Sequence, residues 1–332
     1  MKTTHFLLVL LTASQQAWPQ AARLYASIPS TETLLAYEIP SGELAWKSTA
    51  GDRSGSIGLA VTPDGKTVAV VEDGPRDSRI RLLDASGKEQ ATADFNSRAR
   101  STSGNSAFIA PGGVLLVPTT EIASWARGVR TYSLGSRRFA TVGLRDRTCA
   151  APLFAAIGET LFGACETGIQ AFRAEHGEFA KQRETVAALV GLRAVLPRSA
   201  DMVDLLIQVP GEPARLMRWT ANSLAAVRSF TMTAATDSPA EGIVSDDGKV
   251  IVVVNNGVAY VQAGADSQAV RVRLAVNAQA VGFMPKTSTW YALDGASGLV
   301  QMVAADGKIT SIRLKGWRGE SRPVTALVAT RP

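Results

Sequence analysis

The chain has 332 residues, 46% of them hydrophobic and 19% charged, with 29 glycines, 15 prolines and a formal charge of +6. That length buries a large core, while the basic residues are scattered and form no stripe interleaved with aromatics, which excludes nucleic acid as the expected partner. Two histidines and two cysteines are too few for a His-rich or Cys-type metal centre, so neither metal nor cofactor is expected.

Residues 1–22 stand apart. Lys2 gives a short positive start, Phe6–Leu11 is an apolar run, and Gln20-Ala21-Ala22 offers small residues for cleavage. The run is too short to cross a bilayer and reads as a secretory signal peptide. No cysteine lies near the cut, which argues against a lipid anchor, and no later segment approaches eighteen consecutive apolar residues. The expectation is therefore export to the periplasm or the outside, with residues 23–332 as one domain and no membrane insertion. The moderate positive charge gives a mild preference for anionic partners.

From Arg23 onward the chain is a succession of short apolar runs separated by turns. Arg23–Ile28, Leu34–Ile39 and Leu44–Ser48 form a three-stranded unit. The second unit has four strands, Ile57–Val61, Thr67–Val71, Ser78–Asp84 and Glu89–Phe95. Its first turn, Thr62-Pro63-Asp64-Gly65-Lys66, is closed by a proline that presets φ and a glycine free to take a positive φ. The third turns at Pro111-Gly112-Gly113, and its insertion Pro118–Gly128 carries Trp125. The fourth turns at Gly158-Glu159 and the fifth near Arg198–Ala200. The sixth restates the opening motif as Gly242–Val254, GIVSDDGKVIVVV, and the seventh turns near Lys286.

The first turns at Gly65, Gly112, Gly158, Ala200, Gly248 and Lys286 are spaced by 47, 46, 42, 48 and 38 residues. Four strands at that period predict an all-β fold, a β-propeller. A sandwich or paired β-domains would have equally frequent turns without restating one hairpin at this interval. The C-terminal run Pro323–Thr330 has no following strand, and the first unit lacks one before its first turn. Joining them gives seven blades, with the ring closed by the C-terminal strand.

The pattern in Val61–Val71 and Val244–Val254, a short strand, [ST]-x-D-G-K and an apolar strand, resembles the YVTN-type repeats of bacterial propellers. The architecture is similar to that of lactonase-like seven-bladed propellers, which include 6-phosphogluconolactonase-like proteins. Val70-Val71-Glu72-Asp73 and Val253-Val254-Asn255-Asn256 stand where the YVTN tetrapeptide would be. The resemblance implies hydrolysis of a sugar lactone as one possible activity. WD40 repeats fit less well, since no Trp-Asp closes a third strand.

Cys149 and Cys165 fall on the first two strands of the fourth unit, equidistant from Ile157, so they are expected to face each other and form one disulfide. His176, in the polar turn Ala174–Gly177, would be the single imidazole of the mature chain and so the single base open to a Ser-His-Asp arrangement. Asp64, Asp246, Asp247 and Asp306 belong to turns, where such side chains bond nearby N–H groups. Ser245-Asp246-Asp247-Gly248 lacks the longer spaced run of a calcium loop.

The linkers between units hold the strongest candidate site. In a propeller they lie at one end, near the central channel. Four of the seven carry arginine: Arg53 beside Asp52, Arg98 with Arg100, Arg145-Asp146-Arg147, and Arg318 with Arg322. The others offer Asp237 and Glu241, Asn277 and Gln279, and the apolar Ala187–Gly191. An arginine cluster of this kind binds a carboxylate, phosphate or acidic glycan through paired N–H groups. The expected function is a monomeric binding or scaffold module for an anionic small molecule, glycan or protein. The alternatives are lactone hydrolysis, with Asp146 or Glu320 as base and Arg147 at the oxyanion, and a cell-surface assembly packed through the Trp125 insertion.

Overall fold

The computed structural model describes residues 22–28, 33–49, 56–72, 78–95, 97–99, 108–110, 112–121, 127–142, 153–175, 178–221, 223–230, 240–255, 257–320 and 324–329. Their regular elements are all strands, grouped in seven antiparallel sheets arranged in a ring. Blade two runs outward from the channel as Ser56–Val61, Thr67–Glu72, Ser78–Asp84 and Glu89–Phe95. Blade four is Leu153–Ile157, Thr160–Cys165, Gly168–Glu175 and Glu178–Val186. Blade five is Leu192–Ser199, Met202–Ile207, Ala214–Trp219 and Leu224–Phe230. Blade six is Glu241–Val244, Val250–Asn255, Val258–Ala263 and Val270–Arg273. Blade seven is Ala280–Phe283, Trp290–Asp294, Leu299–Val303 and Ile309–Arg313.

The chain's two ends share blade one. Ala22–Ile28 pairs on one side with Thr33–Ile39, which pairs with Leu44–Thr49, and on the other with Val324–Ala329. The register sets Ala22 opposite Ala329 and Ser27 opposite Val324. The innermost strands of the seven blades touch one another in cyclic order, the C-terminal strand lying between those of blades seven and two.

The apolar runs follow from where each strand sits. Second strands have a neighbouring blade on both faces, so Val68, Ala69, Val70 and Val71 are all fully buried. The outermost strand Leu44–Thr49 alternates between exposed and half-buried residues, as an edge with one wet face should. Between blades lie seven apolar clusters, one per interface among the described residues.

The D-G-K turns are closed by their own side chains. Thr62 Oγ1 donates to Asp64 Oδ1 at 2.7 Å and accepts from Thr67 N at 3.0 Å, while Lys66 N donates to Asp64 Oδ1 at 3.1 Å. Blade six repeats this with Ser245, Asp247, Lys249 and Val250 at 2.7, 3.1 and 2.9 Å. Gly65 and Gly248 take φ of 69° and 71°, which no residue with a Cβ adopts cheaply. Asp306 likewise accepts from Lys308 N at 3.0 Å, and Asp246 accepts from Lys286 N of the next blade at 2.8 Å.

Two expectations are corrected here. The second strand of blade three does not stop at Val117 but runs Val114–Glu121, and its inner edge is shared by two short strands, Phe108–Ala110 and Ser97–Ala99. Arg98 is therefore a strand residue opposite Thr120, not a loop residue. Pro118 falls between the two short partners of the inner edge and opposite Val129 on the outer side. In blade four, Ile157 pairs with Thr160 and Leu153 with Ala164, so the hairpin centre lies between Gly158 and Glu159. Cys149 lies outside the described residues, so the correction concerns the centre of the hairpin alone. A two-residue turn led by Gly158, with φ 56°, moves the centre past Ile157.

Candidate functional site

In a four-stranded antiparallel sheet the connections alternate between ends. The inter-blade linkers therefore share one end of the ring with the turns between second and third strands. Buried amides and an arginine tie this end down. Gln208 Oε1 accepts from Ala240 N at 2.6 Å, Gln301 Oε1 from Ala275 N at 2.8 Å, and Gln279 Oε1 from Gly295 N at 2.6 Å. In blade two Arg81 Nη1 donates to Thr49 O at 3.0 Å. A linker whose backbone is held by side chains of the blades on either side is a fixed platform for whatever it presents.

Of the arginines singled out in the sequence, Arg318 is exposed on the linker from blade seven to blade one. Its neighbours are anchored. Trp317 Nε1 donates to Gly295 O at 2.6 Å, its ring lies 6.2 Å from that of Tyr37, and its atoms stand where a Cβ on Gly298 would be. Glu320 is buried, and its backbone N donates to Gly295 O at 2.7 Å. Arg98 is placed by its strand pairing. Arg53, Arg100, Arg145, Asp146, Arg147 and Arg322 lie outside the described residues, as do Cys149, His176, Trp125 and Asp237. Cys165 is half-buried, with Sγ 3.4 Å from Thr167 Oγ1.

The linker end of blade four holds a cleft of 270 Å³ lined by Gly163, Cys165, Thr167, Gly168, Gln170 and Glu184 among others. The two glycines leave its floor open, and Gln170 Nε2 donates to Glu184 Oε2 at 3.2 Å across it. Val186 lines the cleft and is itself exposed.

Nearest the channel lies a group the sequence reading did not assemble. Glu241 opens the innermost strand of blade six, directly after the linker residue Ala240 that Gln208 holds. A Cβ on Gly242 would point into Leu206, Ala194 and Leu196 of blade five, so Glu241, one residue earlier, faces blade seven. On that face its strand contributes Ile243 to an apolar cluster with Val254, Val281 and Ala292. Burial against this wall pushes the Glu241 carboxyl up to about 7. In blade seven the Tyr291 ring lies across Gly282, where a Cβ would come within 2.7 Å of it. Tyr291 Oη reaches Thr325 Oγ1 on the C-terminal strand at 3.0 Å. Burial pushes this phenol up to about 12; the Thr325 hydrogen bond works against that rise and the Glu241 charge adds to it. A carboxyl pushed up toward neutrality, electrostatically coupled to a phenol that keeps its proton, can exchange protons near neutral pH. Glu241 was legible as a linker acid. Its burial depends on which way one strand faces, a property fixed by Gly242 and by the neighbouring blades.

No protein-family model matches the chain, and no curated protein matches it by sequence. Solved structures do match. A protein of unknown function from Desulfotomaculum acetoxidans DSM 771 superposes with a TM-score of 0.66 at 12% identity, covering 92% of this chain and 99% of that one. A protein named as a 6-phosphogluconolactonase from Bacteroides uniformis ATCC 8492 gives 0.61 at 12% identity, over 94% and 100%. Apo AztD from Citrobacter koseri gives 0.59 at 12% identity, over 94% and 99%. At such identity the likeness speaks to fold alone: the chain is a seven-bladed β-propeller, and lactonase-like proteins are among those sharing that architecture.

Proposed function

We propose that this chain is an exported, monomeric binding propeller that takes a ligand bearing an anionic group at the linker end of its channel. Arginines of the linkers, Arg53, Arg100, Arg145, Arg147, Arg318 and Arg322, hold that group, with Arg98 of the short strand Ser97–Ala99 and with Asp146 among them. The observation that carries this reading is the anchored platform under Arg318, an exposed cation on a linker fixed by Trp317 and by the backbone of Glu320. A linker backbone already fixed in place loses little freedom when the side chain it carries binds an anion. The leader at residues 1–22 supports export, and in that setting one Cys149–Cys165 bridge is expected; mass mapping of non-reduced peptides tests it.

The probes are glucuronate and 6-phosphogluconate, measured by calorimetry at low salt. Replacing Arg318 and Arg322 together by Ala is expected to weaken binding about tenfold or more. Unchanged affinity in a folded double variant overturns the assignment of the mouth. A second reading, opening of a sugar lactone, is favoured by the Glu241 carboxyl titrating at about 7, where a general base works at neutral pH. The sequence alternatives for that base are Asp146 and Glu320, with Arg147 at the oxyanion. A pH-stat assay on gluconolactone that stays at the spontaneous rate removes it.

A further inference from the structure

Blade four carries glycine where four other blades carry side chains. The last two same-face pairs of its second and third strands, before the turn at the linker end, are Gly163 with Gln170 and Cys165 with Gly168. Their chain neighbours Phe162, Ala164, Ile169 and Ala171 pack against blade five, so these four positions face blade three. Blade two fills the matching positions with Val70, Arg81, Glu72 and Arg79, and Glu72 pairs with Arg79 at 2.7 Å and with Arg81 at 2.8 Å. Blade five fills them with Leu205, Met217, Ile207 and Arg215, and blades six and seven also place a side chain at each. In blade four two of the four are glycine, and the cleft of 270 Å³ lies there. Gly168 is required by its backbone, since at φ 155° a Cβ would meet Thr185 O at 2.5 Å. Gly163 has no positive φ, so its strand geometry accepts a side chain that the cleft does without.

The lining residues decide what fits. Val186 and Cys165 border the linker-end side, and Gln170 with Glu184 forms a polar side. Glu184 Oε2 accepts from Gln170 Nε2 at 3.2 Å and from Lys181 Nζ at 3.0 Å. The oxygens of that pair accept hydrogen bonds, so this side suits a donor, and a carboxylate already paired with a lysine calls for no second cation. A floor of peptide groups without side chains takes a planar ring face-on. An apolar cavity of about 150 Å³ holds one benzene, so a cleft of 270 Å³ holds two fused rings.

We propose that this cleft is a second binding site, for a neutral planar aromatic of two fused rings carrying one N–H or O–H donor. The ring lies on Gly163 and Gly168 with its edge against Val186 and Cys165, and the donor meets the Gln170–Glu184 pair. The site belongs to one blade and stands independently of the arginine-bearing mouth.

The test uses the full chain and indole, read by calorimetry, with 1-methylindole as the counterpart that lacks the donor. Indole is expected to bind with a dissociation constant below about 1 mM, and 1-methylindole about tenfold more weakly. Gly163→Leu fills the hollow from its floor and is expected to remove the binding. Val186→Arg changes a residue that is 67% exposed at the rim, so it tests the same placement without touching the core, and about a tenfold loss is expected. Arg318→Ala is expected to retain indole, and glucuronate is expected not to displace it, which separates failure of this cleft from failure of the arginine mouth. Indole that fails to bind the folded wild-type chain, is matched by 1-methylindole, is displaced by glucuronate, or binds Val186→Arg unchanged overturns the proposal. So does unchanged binding to a folded Gly163→Leu. The comparison of the two indoles and the rim variant decide the matter even if Gly163→Leu does not fold.

Discussion

Asp204 and Glu241 are two carboxylates on the inner strands of neighbouring blades, and the protein treats them oppositely. Asp204, on the second strand of blade five, is fully buried. Its Oδ2 accepts from Arg198 Nε at 3.0 Å, and its Oδ1 from Arg218 Nε at 2.8 Å. The arginines are satisfied in turn. Arg198 donates to Gly248 O, Lys249 O and Gln262 Oε1 at 3.2, 2.8 and 2.9 Å, all in blade six, and Arg218 donates to Ala265 O at 2.9 Å. Glu241, half-buried on the innermost strand of the next blade, has neither a cation nor a hydrogen bond among the described residues. A closed ionic network at the turn end staples two blades, and there is little left in it for a ligand to do. A half-buried carboxyl raised by desolvation lowers stability once it ionises.

The comparison breaks most easily at Asp204. Asp204→Ala leaves the Arg198 guanidinium buried beside backbone carbonyls with its charge uncompensated, so a loss of about 3–5 kcal/mol is expected in urea unfolding. Asp266, the outer partner of Arg218, has a side chain 96% exposed, and its replacement by Ala is expected to cost under about 0.5 kcal/mol. If the two variants cost the same, the network is not the staple described.

The second effect runs the other way. Folding raises the Glu241 carboxyl from 4.5 to about 7, so the folded chain holds a proton that the unfolded chain releases. Stability from this group is full below about pH 4.5 and is lost as pH rises through 7. Glu241→Gln is therefore expected to be more stable than wild type at pH 8, on the order of 3 kcal/mol, and equal to it at pH 4. Calorimetric melting at the two pH values reads this directly. A variant with no advantage at pH 8 would show that the carboxylate is already compensated.

Much of this fold could be read from local chemistry. The turn at Thr62–Thr67 and its repeat at Ser245–Val250 announce themselves because hydroxyl, carboxylate and glycine sit at fixed offsets within six residues. The fully buried second strands show as unbroken apolar runs, Val68–Val71 and Ile251–Val254 among them. The network at Asp204 was not legible. Arg198, Asp204, Arg218 and Gln262 are spread over 65 residues, and which faces meet is decided only when blades five and six pack. The Arg98 strand was missed for a similar reason, since its partner Thr119–Glu121 continues beyond a proline that reads locally as the end of a strand. Of the candidate site, composition gave the arginine-bearing linkers, whereas the acid and the phenol became neighbours only through ring geometry.

A third carboxylate sharpens the contrast at the smallest scale. Asp247 is half exposed, and it is held by a hydroxyl and an amide where Asp204 has two guanidinium groups. The Ser245 hydroxyl, then the Lys249 N–H, draw its carboxyl down to about 2. With its folded value below the ordinary 3.8, its contribution is present above that pH and lost as pH falls through 2, outside the range in which Glu241 acts. Asp247→Ala removes two neutral-donor hydrogen bonds in water-accessible surroundings, so about 1 kcal/mol is expected, a fall of about 2 °C in melting temperature. Asp247→Asn keeps an oxygen acceptor in the same place and is expected to recover at least half of that loss, because the turn needs an acceptor more than it needs a charge. Recovery by Asn here, set against failure of Asp204→Asn to recover its staple, would separate an acid held for its geometry from one held for its charge.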